Sequence, residues 1–225
     1  MPDFPVRLWP ASWLLLLALS AVGAQDAPGA LVITRLQYGG GGDWYADPSS
    51  LPNLIAFAGP ATGITISAAE ARAKIGDDTF QESTYLYLTG HGNVQFSAEE
   101  VGQLRAHLMA GAFLHADDNY GMDRSFRREM KKVFPDKEWV ELPPDHQIFN
   151  LVFPFPAGLP KIHEHDNQRP QGLGLFHEGR LMVFYTFECD LGDGWEDPQV
   201  HDLPPELRQA ALRMGANIIA YALSR

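Results

Sequence analysis

The spacing of apolar and polar positions changes period along the chain, and each change marks an element. Leu31-Val-Ile-Thr-Arg-Leu-Gln37 is an apolar-rich run ending in Gly39–Gly42 and Asp43, which reads as a strand leaving a sheet through a turn. Leu51, Leu54, Ile55 and Ala58 follow at helical spacing, and Gly59-Pro60 predicts the end of that helix. Ile64 to Ser67 reads as a weaker strand, and residues 68–80 fit neither period. The plainest unit opens with the strand Tyr85-Leu-Tyr-Leu-Thr89 and the tight loop Gly90-His91-Gly92-Asn93. Ser97 and Glu100 have the spacing of a capping box, in which each side chain bonds the other's backbone N–H. Val101, Leu104 and Leu108 make the buried stripe, Gly111 closes the helix, and Ala112 to Ala116 is the next strand. Residues 85–116 are therefore one βαβ unit.

Beyond Asp117-Asp118-Asn119-Tyr120-Gly121, the positions Phe126, Met130, Val133 and Phe134 predict a helix over 124–134. Trp139 to Leu142 is a further strand, and the proline-rich stretch 143–170 reads as a long structured loop. Leu173–Phe176 and Leu181–Phe187 flank His177-Glu-Gly-Arg180 as the arms of a hairpin. A last helix begins near Pro205, with Leu207, Ala211, Met214, Ile218 and Ala222 on its core face. Strands alternating with helices specify an α/β fold with a central, mostly parallel sheet.

The first residues follow a different logic. Arg7 precedes the apolar run Trp13 to Ala24, which ends in Val22-Gly23-Ala24. At 12 residues the run falls short of the roughly 20 that span a bilayer, and it fits a signal peptide cleaved after Ala24. An uncleaved anchor is the competing reading. The expected organisation is a signal peptide over 1–24, a short linker over 25–30 and a single domain over 31–225, exported to the periplasm or cell envelope. The mature chain is expected to carry no transmembrane helix. With 17 Lys+Arg against 28 Asp+Glu the net charge is −11, which repels phosphate backbones and speaks against nucleic acid as a partner. One cysteine, Cys189, excludes an internal disulfide framework and a multi-cysteine zinc site.

The polar clusters all follow predicted strands, at Gly39–Asp43, Gly90–Asn93, Asp117–Gly121 and Glu188–Glu196. In an open α/β sheet those positions share the rim at the carboxyl ends of the strands, where ligands bind. Gly41, Asp43, Asn93, Tyr120, Asp190, Asp193 and Trp195 are the candidate ligand contacts along that rim. His91, between two glycines, is a candidate acid/base or metal ligand, with a turn histidine as the plainer alternative. Asp117 and Asp118 are adjacent, so their side chains diverge; one is expected to cap the next element and the other to act in the crevice. Asp145-His146 reads as a structural turn. His163 and His165 would project from one face of an extended segment, and two imidazoles with a carboxylate suit zinc or iron. Their spacing fixes no third ligand, so a divalent metal stands beside exposed loop histidines as the reading of that segment. Glu188-Cys-Asp190-Leu-Gly-Asp193-Gly-Trp-Glu196-Asp197 lacks EF-hand spacing, and Cys189 lacks an elbow or adjacent base and reads as inert. No Gly-x-Ser-x-Gly, P-loop or complete dinucleotide fingerprint is present. The basic stretch 124–132 reads as a solvated helix face.

Taken together, Tyr38–Pro52, Leu88–Asn93, Asp117–Pro135, Asp145–Phe149 and Asp190–Asp197 resemble the bacterial domain-of-unknown-function 4159 family. Leu88–Asn93, Gly111–Asp117 and the later Asp-His-x-Ile-Phe are also similar to the class I glutamine amidotransferase-like and trehalose-utilisation superfamily. That kinship implies a flavodoxin-like three-layer sandwich. The strand end where an amidotransferase carries its nucleophilic cysteine holds Asp117-Asp118 here, so thiol-based glutamine hydrolysis is not implied. The expected function is binding of a small polar ligand or an envelope protein at the rim. The alternative is an envelope hydrolase or lyase on a carbohydrate-like substrate, with His91, Asp117 and Asp118 as acid/base groups or metal ligands.

Overall fold

The computed structural model describes residues 29–224; the expected signal peptide and its cleavage point lie outside them. Seven strands form one sheet: β1 (Ile33–Gln37), β2 (Ala71–Lys74), β3 (Tyr85–Gly90), β4 (Phe113–Asp118), β5 (Val140–Glu141), β6 (Gln171–His177) and β7 (Arg180–Phe187). Their order is β2-β1-β3-β4-β7-β6-β5. The pairs from β2 across to β7 are parallel, whereas β6 runs antiparallel to both β7 and β5. The central strands β3 and β4 are buried along their whole lengths, which is why they read as continuous apolar runs.

Helices cover both faces, giving a three-layer sandwich. On one side α1 (Ser50–Thr62) and α7 (Pro205–Ser224) enclose Leu54, Phe113, Phe184, Trp195 and Ile218. On the other, α3 (Ala98–Ala110) and α4 (Asp123–Val133) enclose Leu88, Leu104, Leu114, Phe126 and Val183. The capping box forms as expected, with the Glu100 N–H donating to Ser97 Oγ at 3.1 Å and the Ser97 N–H to Glu100 Oε2 at 2.7 Å. At the other end of α3, Arg180 donates to the Leu108, Met109 and Ala112 carbonyls, a cation placed at the negative end of the helix dipole. No helix among the described residues is long and apolar enough to cross a membrane.

Several expectations are corrected. Helix α1 runs through Gly59-Pro60 and ends at Gly63, whose left-handed backbone (φ 73°) points its N–H at the Gly59 carbonyl. Proline already has a helical φ, and the buried face of Leu51, Leu54, Ile55 and Ala58 outweighs its one missing N–H bond. The segment 64–67 contributes only a bridge between Ile66 and Leu31, and the ambiguous 68–80 holds β2 and a short α2 (Asp78–Glu82). Strand β4 carries on through Asp117 and Asp118, which are therefore part of the sheet. The stretch 143–170 is irregular but for one 3-10 turn at Gln147–Phe149. Two short helices, α5 (Leu191–Trp195) and α6 (Pro198–His201), complete the chain between β7 and α7.

Candidate functional site

The loops after β1 and β3 meet first. The His91 backbone N–H donates to Asp43 Oδ1 at 2.7 Å, and its ring Nδ1 lies 2.8 Å from Asp43 Oδ2. Burial alone would raise the Asp43 carboxyl, but the His91 N–H and ring hold it below the usual range. Asn93 donates to the Gly40 carbonyl at 2.7 Å, which closes the loop containing Gly41. Gly90 has to be glycine: its φ is 141°, and a Cβ there would lie 2.1 Å from the Tyr38 hydroxyl.

The carboxylates gather nearer the middle of the sheet. Asp117, wholly buried, receives the Thr186 hydroxyl on one oxygen and the Gly192 N–H at 2.7 Å on the other, so it fixes the start of α5. Asp118 accepts the Met122 N–H at 3.0 Å, at the start of α4. Asp47 accepts from Asn119 Nδ2 at 3.3 Å through Oδ1. Gly192 sits among these groups, and a Cβ on it would lie 2.6 Å from Asp47 Oδ2 and 3.3 Å from both Asp117 Oδ2 and the Tyr87 hydroxyl. Crowded, buried carboxyls resist ionisation. Burial, reinforced by neighbouring acids, raises Asp47 to about 7, Asp117 to about 8, Asp118 to about 6 and Asp190 to about 10. Among the described residues, Asp47 Oδ2, Asn119 Oδ1 and Asp190 Oδ1 are buried without a hydrogen-bond partner.

Three histidines line the solvent side of this cluster. The stretch after the 3-10 turn carries His163 and His165 back over the rim, where Lys161 bonds Glu188 at 3.1 Å and the Ile162 N–H bonds the Cys189 carbonyl at 2.9 Å. His163 Nδ1 is 2.6 Å from Asp193 Oδ2 and 4.0 Å from Asp190 Oδ2. His165 Nε2 bonds Asp190 Oδ2, and its ring stacks on Tyr120 at 4.2 Å. Burial, then the nearby His163, lowers the His165 imidazole. His201, from α6, brings Nε2 to 3.2 Å from Asp193 Oδ1. The side chains of Asp190 and Asp193 are 3% and 6% exposed, those of His163, His165 and His201 39%, 24% and 27%. The carboxylates thus form the floor and the imidazoles a wet entrance.

Of the residues singled out from sequence, Asp117, Asp118, Asp190 and Asp193 belong to this floor, with His163, His165 and the exposed Tyr120 at its entrance. His91, Asp43, Asn93 and Gly41 form a separate set joining the β1 and β3 loops. Trp195 is fully buried in the core, its indole N–H donating to the Ala211 carbonyl at 2.8 Å. Cys189 is buried, and desolvation raises its thiol. The basic helix α4 is more than a solvated face: Arg128 and Lys132 flank the buried Glu129, which accepts the Phe96 N–H at 3.0 Å. Asp47, Asn119 and His201 join the site without being singled out by the sequence pattern. Asp47 carries one local signal, its place in the polar run after β1, whereas His201 is isolated in sequence and gains meaning only when α6 folds against α5.

No curated protein is similar enough to the chain to match it. A family model described as a domain of unknown function, DUF4159, matches residues 32–223. Spanning nearly every strand and helix of the sandwich, that match shows that the chain belongs to the DUF4159 family.

Proposed function

We propose that this protein is an exported binding domain, related to the amidotransferase-like superfamily, that takes a small hydroxyl-rich ligand at the carboxyl-end rim of its sheet. The observation that carries the reading is the set of unpartnered oxygens on Asp47, Asn119 and Asp190, buried within the same rim. Such atoms cost about 1–3 kcal/mol each when left unpaired, so a ligand that pairs them binds with a built-in gain. With Asp47 near 7 and Asp190 near 10, the floor mixes protonated and ionised carboxyls around neutrality. A hydroxyl both donates and accepts, and therefore matches either form. The apolar segment Trp13–Ala24 supports export, with cleavage after Ala24 and residence in the periplasm or envelope.

Hydrolysis or lysis by His91, Asp117 and Asp118 has less support. His91, oriented by Asp43, shares no hydrogen bond with Asp117 or Asp118 among the described residues, and both oxygens of Asp117 are occupied by Thr186 and Gly192.

A thermal-shift panel of polyols and sugars, with primary amines alongside, tests the binding reading. A matching polyol at 100 times its Kd raises Tm by about 5–10 °C. Asn119→Ala, checked by circular dichroism for an intact fold, loses that shift. No shift from any hydroxyl-bearing compound, or an undiminished shift in Asn119→Ala, overturns it.

A further inference from the structure

The geometry points to a divalent transition-metal site at the entrance, formed by His163, His165 and Asp190. Potential ligand atoms of these three residues lie within 4.8 Å of one another, close enough for small side-chain movements to bring them round one ion. Two imidazoles and one carboxylate are a borderline ligand set, suited to zinc, cobalt or iron and poorly suited to calcium or magnesium.

Two further observations separate this trio from a chance meeting of polar side chains. Asp190 is 2% exposed, and its Oδ1 has no partner among the described residues while Oδ2 bonds His165. A buried carboxylate with one free oxygen beside two imidazoles has the donor chemistry to hold a cation. The surroundings also hold the histidines as a metal's outer shell does. Asp193 bonds the His163 ring at 2.6 Å, and Tyr120 stacks on the His165 ring at 4.2 Å. A second trio, His163, Asp193 and His201, shares His163. There each oxygen of Asp193 already faces a ring, Oδ2 towards His163 and Oδ1 towards His201, so this carboxylate serves to orient the imidazoles.

Three protein ligands leave a tetrahedral ion one open position. Here that position is available to an oxygen of the incoming ligand, and this part of the inference rests on the proposed binding function. Metal binding itself does not depend on it.

The test is calorimetric titration of Zn²⁺ into chelator-treated protein, with the visible absorption of bound Co²⁺ reporting on imidazole ligation. One ion per chain is expected. His163→Ala and His165→Ala should each weaken binding by at least about 100-fold, Asp190→Asn by at least about tenfold, and His201→Ala by less than about fivefold. Circular dichroism of each variant confirms its fold. No stoichiometric binding overturns the site, as do folded His163 and His165 variants that bind like the parent. Loss on His201→Ala with retention in His165→Ala overturns the assignment of ligands. Running the polyol panel on chelator-treated protein and again after Zn²⁺ addition separates the two ideas: polyol shifts without Zn²⁺ binding would sink the metal site and leave the binding function standing, and Zn²⁺ binding with no polyol shift in either state would sink only the latter.

Discussion

At the scale of single residues, the rim carries groups that the fold holds against their own solvation. Asp47 illustrates the sign. Its folded value of about 7 exceeds the ordinary carboxylate value near 3.8, so the native state keeps a proton that the unfolded chain releases. Its contribution is therefore greatest below about pH 4 and is lost as pH rises to 7. Asp47→Asn keeps the shape and removes the ionisation, and is expected to raise Tm at pH 8 by about 3–6 °C while leaving Tm at pH 4 nearly unchanged. Thermal melts at the two pH values decide this, and equal shifts at both would contradict it. His115 works in the opposite direction. Burial lowers it to about 3, with no partner for Nδ1 among the described residues, so its stabilisation is lost as pH falls from 6.5 towards 3.

At the scale of elements, the site depends on how closely α5 approaches the sheet. Gly192 lets the backbone N–H of that helix reach Asp117, and a methyl on it would press to 2.6 Å from Asp47 Oδ2 and force a shift there. Gly192→Ala is expected to cost about 1–3 kcal/mol, read from urea midpoints, with circular dichroism near the parent's. A neutral Gly192→Ala would mean that the floor is looser than its geometry indicates. This junction also shows where sequence reading stops. The βαβ unit was legible because its signals are local: Ser97 and Glu100 stand three residues apart, and Leu104 and Leu108 stand four. Helix α5 was not, since Leu191-Gly-Asp-Gly-Trp195 has no period and begins from Asp190 in the left-handed region (φ 57°). Edge strand β2, Ala-Arg-Ala-Lys, has little strand propensity and forms by pairing with β1. His163 and His165 were visible as a pair, but their carboxylates lie 25–30 residues on, and no spacing rule reaches that far.

At the scale of the whole molecule, the opposing titrations combine. Four carboxyls on the rim are raised, so their contributions fall as pH rises above about 4. His115 loses its contribution below about 6.5, and the lowered Asp43 and Glu129 lose theirs below about 4. The metal-free protein is thus expected to be most stable between about pH 4 and 6, as measured by denaturation midpoints across pH in the presence of a chelator. An optimum at pH 8 would show that the floor is not acid-rich in the way described. The sheet order has a consequence of another kind. Its two borders are β2, four residues with Arg72 and Lys74 pointing to solvent, and β5, two exposed residues, Val140 and Glu141. Brief, charged margins offer a second sheet almost no template for docking, so the molecule can be crowded at high local concentration without seeding cross-β growth from its flanks.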